Sequence, residues 1–268
     1  MDERPRITTT NPGDRDRIWR ERVRRQEVRS GFLAPIYVMW TPGVPQYAAQ
    51  AAAAGVVDTL RASGQAREVV TFGASTFSQG DYSSAQWYVD EAYRRQELRR
   101  DVGHGLQLDA GQFAGLFNDE PWQENPHWEV LIVNKDLNCE VDGRFINFVF
   151  GVTRPDFPYS VQSVRRILSG VDNLYLQAEL IRRVLRHEVE HMFGLPDRTE
   201  NTTENLGTHC TNVCTMRQGV SVGQWGRQWA EETNMGLQFC GDCLTDLEKS
   251  RDYLRPLSEL PQGLRRGV

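Results

Sequence analysis

The stretch His187-Glu188-Val189-Glu190-His191-Met192-Phe193-Gly194 limits what this chain can be more than any other. Two histidines four residues apart on a helix stand one turn above each other on the same face, so their ring nitrogens can hold one zinc ion. The glutamate beside the first histidine can reach a water on that ion, which makes Glu188 the candidate general base. An amphipathic helix with two incidental histidines would spell the same letters, so the surroundings decide, and they favour a site. From Asp172 to Phe193, the residues Leu174, Ala178, Ile181, Leu185, Val189 and Met192 fall on one apolar stripe at helical spacing. Glu179, Arg182, Arg183, Arg186 and Glu190 are expected on a solvent face. His187 and His191 share a third flank with Leu180 and Val184, as the wall of a cleft requires. Gly194 then ends the helix with the residue that most readily takes a left-handed turn, sending the chain back towards the metal.

Four of the five cysteines follow this helix in two tight pairs, Cys210-x3-Cys214 and Cys240-x2-Cys243. Paired thiolates on short turns are what a tetrahedral structural zinc needs. Buried small residues or a redox C-x-x-C would account for one pair but not for both. A zinc held there would staple the 195–243 segment, which has few apolar residues of its own. Cys139 stands apart and reads as a partly buried free thiol. Clustered thiols without a disulfide framework point to a reducing, cytoplasmic compartment. Two zinc ions are therefore expected, one catalytic and one structural.

A catalytic zinc needs three protein ligands and a water. Asp197 and His209 compete for the third place. His209 is preferred, because the thiolate site would fix Cys210 and with it the position of its neighbour.

The rest of the chain bounds the partners and the architecture. A formal net charge of −5 gives no reason to expect nucleic acid. No apolar run approaches a membrane span, and residues 1–10 hold no apolar stretch of a secretory signal. Residues 1–30 read as a charged helical arm. Ala34 to Trp40 and Glu68 to Phe72 read as strands flanking an alanine-rich helix over Gln46 to Ser63, an order that suggests a parallel pair. A further helix is expected over Ser84 to Arg100, while Val102 to Asn118 shows no clear period. Strands are expected over Trp128 to Asn134 and Phe145 to Phe150. After the zinc helix come a polar loop over Leu195 to Thr208, a helix over Ser221 to Asn234 and a tail helix over Leu244 to Leu254. The fold class is α/β, with residues 31–194 forming a catalytic part that ends in the zinc helix. Residues 195–268 form a smaller part carrying the third ligand and the thiolate site.

His187, Glu188, His191, Gly194, His209, Cys210, Cys214, Met216, Cys240 and Cys243 occur in the order found in the archaemetzincins, a family of metzincin-type zinc peptidases that this chain resembles over about residues 128–247. The family pattern is H-E-x-x-H-x-x-G-x-x-H-C, then x4-C-x-M, a spacer of about seventeen and C-x-x-C. Asn147 to Gly151 (N-F-V-F-G), after Lys135-Asp136-Leu137, also resembles the family's strand before the helix. Here fourteen residues separate Gly194 from His209 where the pattern has two, and 23 precede Cys240. The resemblance implies a mixed twisted sheet with a backing helix and an active-site helix, and a role for Met216 in a hydrophobic turn under the metal. It also implies hydrolysis of peptide bonds in peptide or protein substrates; from its order along the chain, just before the zinc helix, Phe145 to Phe150 is expected to line the cleft and pair with the substrate backbone. A zinc-stabilised binding module without catalysis and a hydrolase of non-peptide amides are the rival readings.

Overall fold

The computed structural model describes residues 33–73, 84–99, 107–119, 127–141, 143–153 and 159–253, and the expected helical arm over residues 1–30 lies outside them. A five-stranded sheet forms the centre, with spatial order β2-β1-β4-β8-β7. Its strands are β1 (Ile36–Trp40), β2 (Val69–Gly73), β4 (Trp128–Val133), β7 (Gly151–Thr153) and β8 (Tyr159–Ser163). β1 runs parallel to β2 and to β4, β4 runs parallel to β8, and β7 alone is antiparallel, pairing with β8 at the outer edge. Strands buried on both faces need near-continuous apolar sequence, and the fully buried WEVLIV of β4 supplies it. Its one acid, Glu129, is buried with a hydrogen bond from Tyr88 Oη at 2.9 Å and with His127 Nε2 at 3.2 Å. β8 is equally buried although its sequence, YSVQS, is largely polar.

Helix α1 (Gln46–Ser63) connects β1 to β2, as the alanine-rich stretch predicts. Helices α2 (Ser84–Arg99) and α3 (Ala110–Asp119) pack on each other and against the strands. The unpatterned region before residue 119 thus contains α3, preceded by the short β3 (Leu108–Asp109). β3 joins β5 (Leu137–Val141) and β6 (Arg144–Val149) in a second, three-stranded sheet. β6 is the apolar strand expected near residue 145, yet it is mostly solvent-facing, with Phe145 43% exposed.

Short helix α4 (Arg165–Gly170) leads to helix α5 (Leu174–Met192), the predicted zinc helix. Asn173 caps it, its side chain accepting a hydrogen bond from the Leu176 backbone N–H at 3.0 Å. The apolar stripe is buried from Ile181 onward, whereas Leu174 projects into solvent. The expected solvent face is not one: Arg183, Arg186 and Glu190 are all buried. The reason is that α5 is covered on more than one side. α1 packs along it, with Arg182 and Arg186 both on Asp58 of α1, at 2.6 and 3.1 Å. Helix α6 (Val222–Met235) covers another side, where Glu232 pairs with Arg183 at 2.6 Å and the Arg183 guanidinium lies 4.5 Å from the Trp225 ring centre. Between α5 and α6 the chain forms a hairpin of β9 (Thr202–Glu204) and β10 (Thr208–Cys210), where a loop is expected as far as Thr208. Helix α7 (Gly241–Tyr253) closes the described chain and packs against α1.

Candidate metal centre

Gly194, at φ 81°, turns the chain just past α5, and the hairpin then brings His209 back beside His187 and His191. One ring nitrogen from each of these three histidines lies within 4.8 Å of the others. The opposite nitrogen of each ring is committed to a backbone carbonyl: His187 Nδ1 to Thr215 O at 3.0 Å, His191 Nδ1 to Leu195 O at 2.7 Å and His209 Nδ1 to Gly207 O at 2.8 Å. A carbonyl only accepts, so each Nδ1 carries the proton and each Nε2 presents a bare lone pair. Burial holds all three imidazoles uncharged, His191 pushed down to about 3 and His187 well below the usual histidine range. His187 Nε2 and His191 Nε2 face each other at 3.2 Å. With both Nδ1 atoms protonated neither can donate to the other, and a cation between them satisfies both lone pairs. Two nitrogens of a tetrahedral zinc site stand about 3.4 Å apart, so the trio fits zinc. Asp197 is solvent-exposed and stands outside the trio.

The trio lies on the wall of a cavity of about 700 Å³, which Glu188 also lines. Phe150, Val152, Tyr159, Trp225 and Leu206 contribute apolar wall, and Phe148 and Val149 of the expected substrate strand join them. Trp225 stands edge-on to the His187 ring at 5.3 Å. Glu188 is 7% exposed, and burial pushes its carboxyl up to about 7 against the hydrogen bonds from Thr153 and Gln162. Thr153 Oγ1 donates to Glu188 Oε2 at 2.6 Å. Met216 is fully buried, and its neighbour Thr215 supplies the carbonyl that orients His187.

The four clustered cysteines also come together, their sulfurs within 4.8 Å of one another. Cys210 Sγ and Cys240 Sγ are 3.7 Å apart. That is far beyond a disulfide of about 2.0 Å and close to the roughly 3.8 Å edge of a zinc–thiolate tetrahedron. Hydrogen bonds from Cys214 and Cys243 hold the Cys210 thiol below the usual range, and the same bonds raise Cys214 and Cys243. Donors surround the sulfurs: Arg198 Nη2 reaches Cys210 at 3.1 Å and Cys243 at 3.3 Å, and the Met216 backbone N–H reaches Cys214 at 3.4 Å. Arg198 is itself held by Asp246. Such donors are the outer partners that steady metal-bound thiolates. Glu190 is buried near the same sulfurs, and burial pushes its carboxyl well above the usual range. Cys139 is buried and unbridged, as expected, on the wall of the cavity.

Thr153, Gln162, Trp225 and Arg198 were not singled out by the motif. The alternation of Gly151-Val152-Thr153 and Ser160-Val161-Gln162 is a signal that could have found the first two, since it marks two short strands that share a polar face. Arg198 sits in a polar loop and carries no such signal.

No protein-family model and no curated protein matches the chain. Among solved structures, it is similar to a zinc-dependent peptidase from Methanocorpusculum labreanum, at 18% identity and a TM-score of 0.45 over 79% of this chain and 99% of that one. It is also similar to an archaemetzincin from Methanopyrus kandleri, at 20% identity and a TM-score of 0.53 over 82% of this chain and 96% of that one. With its mixed sheet, its helices and its C-terminal cysteine cluster, the chain has the archaemetzincin fold.

Proposed function

We propose that this chain is a zinc-dependent peptidase, with His187, His191 and His209 as the ligands of a catalytic ion and Glu188 as general base. The observation that carries the reading is the convergence of three proton-free Nε2 lone pairs beside a buried carboxylate on the wall of an open cavity. When bound there, zinc supplies Lewis acidity, bringing an attacking water towards a pKa of ~7 and polarising the scissile carbonyl. Glu188, near neutral pKa, is suited both to take a proton from the water and to deliver it to the leaving amine. Phe148, Val149 and Phe150 of the expected substrate strand line the cavity with β7, which among the described residues is an edge strand of the main sheet, and this stretch is suited to pair with an extended peptide backbone. Cys210, Cys214, Cys240 and Cys243 hold a second zinc whose role is structural. Four protein ligands leave it no open position, and none of these sulfurs lines the cavity.

A panel of fluorogenic peptides, assayed with and without chelator and alongside the metal content per chain, tests this. The expected result is cleavage that the chelator abolishes and added zinc restores. Glu188→Gln is expected to keep its zinc and lose about 10²-fold or more in turnover. A wild-type chain that binds both ions and cleaves no peptide would instead be a binding module or a hydrolase of another amide.

A further inference from the structure

Strands β7 and β8 pair in the register Gly151↔Gln162, Val152↔Val161 and Thr153↔Ser160. Side chains alternate across a strand, so Gly151, Thr153, Ser160 and Gln162 share one face of the sheet, and Val161 is buried on the other. Glu188 on α5 meets that polar face. Thr153 Oγ1 lies 2.6 Å from Glu188 Oε2, Ser160 Oγ lies 2.5 Å from Thr153 Oγ1, and Gln162 Nε2 lies 2.5 Å from Ser160 Oγ.

Hydrogen-bond chemistry gives this chain one direction. In its ionised form, the one that acts as a base, the Glu188 carboxylate only accepts, so the Thr153 hydroxyl donates to it. The Thr153 oxygen then accepts from Ser160, and the Ser160 oxygen accepts from the Gln162 amide N–H. Gln162 also hydrogen-bonds Glu188. Ser160 and Gln162 are fully buried, and among the described residues Gln162 Oε1 has no hydrogen-bond partner. Gly151 makes the arrangement possible, because a Cβ at that position would stand 1.9 Å from Gln162 Oε1.

We propose that Thr153 is a positioning residue for Glu188, and that Ser160 and Gln162 lock its hydroxyl in the donating orientation. This rests on the peptidase reading. The relay engages Glu188 Oε2 from the sheet side and so fixes the carboxylate in one orientation on the cavity wall. Ligand binding by the histidines does not pass through these residues.

The test uses the full chain loaded with zinc. Thr153→Val removes the hydroxyl at nearly constant volume, and Thr153→Ser keeps it. Thr153→Val is expected to retain the wild-type zinc content and KM while kcat on the cleaved peptide falls about 10- to 100-fold, the scale of a misplaced catalytic group. Thr153→Ser is expected to restore most of that loss. A crystal structure of Thr153→Val is expected to show the Glu188 carboxylate turned from its wild-type position. Wild-type kcat in Thr153→Val, a Ser variant as impaired as Val, or an unmoved Glu188 carboxylate would each overturn the proposal. The crystallographic result stands whether or not the wild-type chain cleaves peptides, so failure of the relay and failure of the peptidase reading are told apart.

Discussion

The histidine trio and the cysteine cluster meet on strand β10 and differ in almost everything else. The trio offers three neutral ligands on the wall of a cavity. The cluster offers four sulfurs, away from that cavity and ringed by N–H donors. The histidines are oriented by neutral backbone carbonyls, so an ion bound there keeps its full double charge. Four thiolates would invert the charge of the same ion, and Arg198 offsets part of the excess. On the proposed reading, the number of ligands and the access around them separate a reactive centre from a staple when both are suited to the same metal.

The contrast can be broken most directly at its shared strand. His209→Ala is expected to cut bound zinc from two ions per chain to one and to abolish peptide cleavage, while Asp197→Ala leaves both unchanged. Metal analysis beside the cleavage assay decides, and the reverse outcome would move the third ligand to Asp197. Next in size is Cys243→Ser. It is expected to release the structural ion and expose residues 195–253 to limited proteolysis, because that segment has little core of its own. Unchanged protease resistance would show that the thiolates staple nothing. A smaller effect is expected for Arg198→Met, which keeps the aliphatic stem and removes the donor to two sulfurs. Chelator competition should show about 10- to 100-fold weaker metal binding at the cysteines, with the histidine site retaining its affinity.

The smallest change sharpens the contrast as a control that touches neither cluster. Asp58 of α1 holds Arg182 and Arg186 of α5. Burial pushes its carboxyl up, but the hydrogen bonds from the two arginines outweigh this and hold it below the usual range. A carboxyl depressed in the fold stabilises above its unfolded pKa, and that contribution is lost as pH falls through the folded value. Asp58→Asn is therefore expected to cost about 1–3 kcal/mol near neutrality. It should also flatten the loss of stability below about pH 4, measured by denaturant unfolding across pH. An acid limb identical to wild type would show that the α1–α5 clamp adds nothing, and both metal contents should stay unchanged.

Much of the candidate site was legible because its chemistry is local. Histidines four apart need only a helix to converge, and the cysteine pairs need only two turns. The parallel pair β1–β2 also followed from alternation of strand and helix. What the sequence hid depends on tertiary neighbours. Arg183, Arg186 and Glu190 have the polarity of a solvated face, yet α1, α6 and the cysteine segment cover them, and partners such as Glu232 and Asp58 lie far away in sequence. β8 reads as polar because Ser160 and Gln162 face Glu188 instead of the core. The hairpin of β9 and β10 has too few apolar residues to show a period. The short β3 and helix α3 were masked by the glycines around them.

One further consequence follows from β10. Successive side chains of a strand leave on opposite sides, so His209 and Cys210 commit a single peptide unit to both clusters. On the proposed reading, assembly of the staple is then a checkpoint on activity. A chain whose cysteines hold no ion would carry its last imidazole on an unanchored strand, so a vacancy in one cluster is felt in the other.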